Sequence, residues 1–168
     1  MKHLKIMIMA ALVTLLLGGS AFAQNTCGSS GSVMLPRVVS HYESPKYQMT
    51  AFFLTNTSNS DVDCTFKIYD HNGNRVRNKL TIQTGNISSA TYGPVVAQNV
   101  DTFTLPAKSS RRVTVSNIGI HLIGYGSLEW CSQEPSLATP LIGSSQYFYR
   151  NGDVTFGSEY LINDGRPF

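Results

Sequence analysis

The sequence predicts an all-β protein, an antiparallel β-sandwich of about eight short strands. Three observations predict it. Apolar and polar residues alternate with period two again and again, while a helical period is almost absent after the N-terminal stretch. Two turns carry the Asn-Gly signature of tight hairpins, His71-Asn72-Gly73-Asn74 and Arg150-Asn151-Gly152-Asp153. Only 14% of the residues are charged and 14 are glycine, and the rest is rich in Thr, Ser, Val, Tyr and Phe.

The first 23 residues read differently. Lys2 and Lys5 give a short positive start, residues 6–17 are an uncharged apolar run, and Gly18-Gly19-Ser20 breaks it ahead of Ala21-Phe22-Ala23. This is the three-part pattern of a cleaved signal peptide. The run is short for a membrane span, which needs roughly 20 apolar residues. The expectation is an exported chain, periplasmic or extracellular, with no membrane span after cleavage. Loss of Lys2 and Lys5 takes the formal charge from +3 to +1. A nearly neutral domain offers no electrostatic case for nucleic acid.

Residues 24–32 are polar and small and read as a flexible N-terminal segment; residues 33–168 read as one domain. Within it, residues 33–42 are β-rich, with Pro36 marking an edge strand. Residues 48–56 are a strong strand, followed by the turn cluster Thr57-Ser58-Asn59-Ser60-Asp61. In residues 62–70, Val62, Cys64, Phe66 and Ile68 face one way and Asp63, Thr65 and Lys67 the other, as in a half-buried antiparallel strand. Residues 80–83 form a short strand, and residues 85–100 a long connection that is either a functional loop or partly mobile. Residues 101–105 and 111–115 read as partners across Pro106-Ala107-Lys108-Ser109-Ser110. Residues 122–131 follow, where Gly124 and Gly126 predict a bulge or a close backbone approach. Residues 147–149 and 154–156 flank the second hairpin turn, and residues 163–168 are a tail.

Export implies oxidising conditions and a disulfide. Cys27, Cys64 and Cys131 allow three single pairings. Cys64–Cys131 is preferred because both lie in predicted strands, and Cys27–Cys131 is its rival. Cys27 in the flexible segment would then be free or would bridge to another chain.

The stretch Phe53-Leu54-Thr55-Asn56-Thr57-Ser58, then Phe66-Lys67-Ile68-Tyr69-Asp70-His71-Asn72-Gly73, then Phe103-Thr104-Leu105-Pro106-Ala107-Lys108-Ser109-Ser110-Arg111-Arg112-Val113, and finally Gly124-Tyr125-Gly126-Ser127-Leu128-Glu129-Trp130, resembles a loose class of bacterial immunoglobulin-like sandwiches that includes relatives of the sensory-rhodopsin transducer. The resemblance spans half of the mature chain. It implies an immunoglobulin-like sandwich and no reaction, in a class where many members bind or assemble.

No catalytic signature emerges. His41, His71 and His121 lie in no recognisable motif, and there is no G-x-S-x-G elbow. Asp70-His71-Asn72-Gly73-Asn74 starts like a calcium loop, but Arg75 and Thr81 stand where an EF-hand needs Gly and Glu. The cysteine and histidine spacings match no metal site, and nothing implies a cofactor. Glu129, beside Trp130 and near Tyr125, could meet sugar hydroxyls; Trp130 itself reads as a core residue near a disulfide. Tyr147 and Tyr149 share one strand face, either outward as a contact surface or inward. Tyr125, Glu129, Tyr147 and Tyr149 are therefore the candidate ligand or partner residues. The sequons at Asn56 and Asn86 would mark exposed loops in a eukaryotic secretory path.

These features lead to an exported, non-enzymatic structural or interaction module of the cell envelope or extracellular space. Its expected partner is another protein or a second copy, reached through an exposed strand edge at residues 33–39 or at the C-terminal strand. A monomeric glycan- or ligand-binding module is the alternative, and a hydrolase the third reading.

Overall fold

The computed structural model describes residues 27–85, 92–115 and 121–168. They form an antiparallel all-β fold of eleven strands: β1 (Ser29–Glu43), β2 (Lys46–Asn56), β3 (Val62–Asp70), β4 (Arg75–Val76), β5 (Leu80–Gly85), β6 (Tyr92–Val100), β7 (Thr102–Leu105), β8 (Ser110–Val115), β9 (Leu122–Ser132), β10 (Leu141–Asn151) and β11 (Val154–Leu161), with a short 3₁₀ segment over Ile162–Gly165. All eleven belong to one sheet, curled into a half-barrel. Its path runs β4-β3-β9-β1-β2-β8-β5-β6, with β7 on β3 and the β10–β11 ribbon branching from β2. The signal-peptide expectation and Asn86 lie outside the described residues.

The branch follows from how β2 spends its two edges. One edge pairs with β10 along its whole length. The other pairs with residues 40–43 of β1 and then with β8. β1 is thus interior only over residues 40–43; around Pro36 it has β9 on one side and no strand on the other among the described residues, as an edge does. The register with β9 shifts between Leu35 and Val38, so Pro36, which has no N–H to donate, sits in a bulge. The bulge faces the stretch around Gly124 and Gly126, where a Cβ would run into the carbonyls of Tyr69 and Lys67, as a close backbone approach requires.

Curling buries the inner faces of β2, β5 and β8 against those of β3, β7 and β9. Phe52 of β2 meets Phe66 of β3 at 5.3 Å, and Phe66 meets Phe103 of β7 at 6.3 Å. Leu35, Val38, Leu54, Leu128 and Val113 complete a closely packed interior. Trp130 joins it, as the sequence predicted, against Gly31, where a Cβ would lie 2.6 Å from the indole nitrogen. Asn56 is buried too, so this sequon marks no exposed loop. Its side-chain N–H donates to the carbonyls of Ser60 and Leu105, and its oxygen accepts from the Ser58 N–H and hydroxyl. One amide thereby ties the end of β2 to the following turn and to β7.

Other boundaries move. Residues 92–100 of the expected long connection are a strand paired with β5. β7 and β8 are not partners of each other: β7 pairs with β3, and β8 with β2 and β5. The predicted C-terminal tail is tied down, since Phe168 is buried and exchanges two backbone hydrogen bonds with Leu141. The stretch expected to be flexible contributes Ser29 to Ser32 to β1. Both predicted Asn-Gly hairpins form, joining β3 to β4 and β10 to β11.

The preferred disulfide is overturned. The bond joins Cys27 to Cys131, with Cα atoms 5.4 Å apart, and Cys64 is free and buried. The reason is the parity of the sheet. On the β3–β9 ladder Asp63 faces Cys131 and Cys64 faces Trp130. Cys64 therefore points into the core while Cys131 points out of it. Ser29 pairs with Ser132, and the Gly28 N–H donates to the Ser132 carbonyl, which delivers Cys27 to the outer side beside Cys131. This bond occupies Cys27 within its own chain, so the intermolecular-thiol expectation falls with it.

Candidate functional site

The four candidate residues divide between two faces. Tyr125 and Glu129 stand on the outer face of β9. Tyr125 stacks on Tyr69 of β3 at 5.3 Å. Glu129 is ion-paired with Lys67. Thr65 and Thr102 share a hydroxyl hydrogen bond on the same outer face, and Thr104 donates to Asp63. This is a polar, cross-paired, solvent-facing surface.

Tyr147 and Tyr149 lie on β10, opposite Thr50 and Gln48 of β2. Thr50 is buried and accepts the Val39 N–H, so both tyrosines share the face that carries Phe52 and turn toward the concave side. The inward alternative is the one realised. The Arg37 guanidinium lies over the Tyr147 ring at 4.2 Å, an attraction between cation and π-face. The structure does not unite Tyr125 and Glu129 with Tyr147 and Tyr149 in one site.

β11 is the C-terminal strand that the sequence offered as an edge; what the sequence reading missed is the exposed apolar surface it carries. Among the described residues this strand pairs with β10 alone. Val154, Phe156 and Tyr160 project to the concave side, in register with Asn151, Tyr149 and Ser145, and are 64%, 56% and 53% exposed. Leu161 is 64% exposed on the opposite face. The alternation Val154, Phe156, Ser158, Tyr160 was a signal in the sequence, but alternation alone does not say which face finds a partner.

Beside β11 lies a cleft of about 700 Å³, within the range of ligand pockets. Its floor is Leu35, Phe52 and Ile162, all buried. Its polar rim is Arg37, Ser145, Asn163 and Asp164. Asn163 and Asp164 each have φ of 53° and are followed by Gly165 at 77°, a left-handed run that these three residue types tolerate best. The Asn163 amide donates to the carbonyls of Arg166 and Pro167 and holds the run in place.

Among the described residues the free thiol is not an activated nucleophile. Burial, with a smaller contribution from the Asp63 charge, pushes the Cys64 thiol up to about 12, so it stays protonated and inert. Among the described residues no group of three His, Cys, Asp or Glu is arranged to hold a metal ion, and no helix is long and apolar enough to cross a membrane.

No known protein family matches the chain, and no curated protein sequence matches it. Solved structures that resemble its backbone include the following two. A Thermotoga maritima protein designated 1070 is 8% identical, covering 78% of this chain and 90% of its own, with a TM-score of 0.48. A family 123 glycoside hydrolase from Clostridium perfringens, described with glycolipid glycan hydrolysis, is 8% identical, with a TM-score of 0.23. The match covers 79% of this chain and 27% of the hydrolase. Likeness at this level carries no functional argument.

Proposed function

We propose that this chain is an exported, non-enzymatic interaction module of the cell envelope or extracellular space, an immunoglobulin-like sandwich that assembles or adheres through a strand edge. The observation that carries this reading is β11: an eight-residue strand paired on one side only, with four large apolar side chains exposed. Soluble proteins usually blunt such an edge with charge, proline or a covering loop. Here Glu159 is its sole charged residue. A row of free backbone groups beside an aromatic surface is what strand addition uses: the main chain supplies affinity and the side chains supply choice. The intrachain disulfide suits an oxidising compartment.

The other proposed edge, at residues 33–39, has β9 on one side and no strand on the other over residues 33–38, among the described residues. Light scattering over a concentration series tests the reading. The wild type is expected to gain mass with concentration, and Val154→Lys/Phe156→Lys is expected to stay monomeric with an unchanged melting temperature. A wild type that remains monomeric throughout defeats self-assembly. It would favour the second reading, a monomeric glycan- or ligand-binding module, for which the cleft and the Arg37–Tyr147 stack are the supporting observation. Saturable binding on a glycan array, lost in Tyr147→Ala, would then be expected.

A further inference from the structure

The two long walls of the cleft beside β11 have an unusual make-up. One is residues 33–37 of β1 and the other residues 160–164, consecutive in both cases. A strand that lines a pocket with its face contributes every second residue, because successive side chains point to opposite sides. In β1 such a consecutive run means that the pocket abuts the edge of the strand; the other wall is the end of β11, Tyr160 and Leu161, running into the 3₁₀ segment. The β1 edge is open. Ser40 pairs with Leu122 of β9 and with Met49 of β2, so the two partners lie on opposite sides of β1. β2 turns away to β8 after Met49, which leaves residues 33–38 with β9 on one side and no strand on the other, among the described residues. β11 has no second partner either.

Charge marks the two ends. β1 runs antiparallel to β2, β2 to β10, and β10 to β11. Arg37 lies over Tyr147, whose partner on β11 is Ser158; Asp164 is six residues farther along. The cation and the carboxylate therefore stand at opposite ends of the groove. Among the described residues neither has an oppositely charged partner. Between them the floor is apolar.

We infer that this groove between β1 and β11 is an acceptor site for an extended segment of a partner protein, a strand with apolar residues facing Leu35, Phe52 and Ile162, an acidic residue meeting Arg37 and a basic residue meeting Asp164. The inference rests on the strand-edge reading above and specifies its partner. About five residues fit along the β1 wall, since a strand rises roughly 3.3 Å per residue and that wall is five residues long. The inserted strand completes backbone pairing on one or both open edges, and the two charges fix its direction.

The test is a phage-displayed library of random twelve-residue peptides, selected on the purified oxidised protein, followed by synthesis of the enriched peptides. The expected outcome is enrichment of an apolar stretch with an acid at one end and a base at the other. Binding by fluorescence anisotropy should weaken about tenfold in Arg37→Glu and in Asp164→Asn, a loss typical of an unpaired interfacial charge. Both positions are exposed, and Asn tolerates the left-handed backbone at 164. Hydrogen exchange on binding should slow at residues 33–35 and 160–161, a sign of edge pairing that a ligand lying on a strand face would not give. Failure to enrich any peptide, indifference to both substitutions, or protection elsewhere overturns the inference. If light scattering shows β11-dependent self-assembly while the library yields nothing, the strand-edge reading stands and this occupant is wrong. If peptides bind the groove while the protein never self-associates, the groove stands and self-assembly is wrong. A glycan or a second copy that competes for the same protection would replace the peptide as occupant.

Discussion

The β3–β9 limb and the β10–β11 ribbon are both antiparallel, aromatic-rich ladders, yet they are finished in opposite ways. On the limb both edges of the two long strands are used: β9 lies between β1 and β3, and β3 takes the short strands β4 and β7 on its far side. Its inner face holds Phe66, Leu128 and Trp130, its outer face is cross-linked by polar pairs, and the disulfide clamps its end. The ribbon has one partner strand, one open edge, and apolar side chains in solvent. The difference teaches where free energy has been deposited and where it has been left undrawn. Regions of low local stability and exposed backbone are those from which binding surfaces are made.

The comparison can be broken most directly at the disulfide. The bond closes a loop with a sequence separation of 104, and the chain-entropy model gives about 4–5 kcal/mol for loops of that size. Cys27→Ser/Cys131→Ser should lose stability on that scale in denaturant unfolding, and the wild type should lose as much under reductant. A loss below about 1 kcal/mol would mean that the limb does not depend on its clamp. Next comes the aromatic interior. Phe66→Ala should cost about 3–5 kcal/mol, as large core truncations do, whereas Phe156→Ala on the ribbon should stay within about 0.5 kcal/mol, as exposed sites do. Equal costs would erase the distinction between the two regions.

A smaller effect is expected at Asn56. Asn56→Ala leaves the buried Leu105 carbonyl and the Ser58 N–H without that partner, at a cost of about 1–3 kcal/mol. The smallest effect sits in the β3–β4 turn. Asp70 accepts hydrogen bonds from the Asn74 side chain, the Asn74 N–H and the Asn72 N–H, which lower its pKa despite its exposure. A depressed carboxyl pKa stabilises the fold above the unfolded-state value, and that contribution disappears as pH falls through the folded-state value. The melting-temperature difference between wild type and Asp70→Ala should therefore be present at neutral pH and shrink in acid. A difference that does not change with pH would assign the effect to turn geometry instead.

The fold was legible where local rules decide it. Val62, Cys64, Phe66 and Ile68 announced β3 and its inner face, and Asn72-Gly73 and Asn151-Gly152 announced two hairpins. Trp130 reads as core because a sandwich packs a tryptophan near its disulfide. Partner choice was illegible for the same local rules. Leu105 and Val113 look like the ends of a hairpin across Pro106, yet their strands join different neighbours, since β8 has inner-face partners on β2 and β5. Pro36 marked a place that cannot donate to a ladder, and it sits both in the bulge toward β9 and in the stretch with no strand on its other side, among the described residues. Tyr147 and Tyr149 were seen to share a face; which way it turned depended on Thr50, a residue distant in sequence. Arg37 and Asp164 could not be joined by any spacing rule, because the cleft between them exists only once β2 leaves β1 for β8.

The opposite facing of Cys64 and Cys131 has a consequence for how the chain is made. A chain exported as proposed meets oxidants before it has finished folding, and three thiols then compete. A bond between Cys64 and Cys131 would require β3 or β9 to slide by one residue, and a slip of one exchanges the two faces of the whole strand. It would put Phe66 or Trp130 in water and bury Lys67 or Glu129. Once β3 and β9 have zipped in the observed register, Cys64 is sealed inside and only Cys27 remains to meet Cys131. Sheet register thus proofreads the cysteines: the wrong cross-link is available only to chains whose strands are already misaligned.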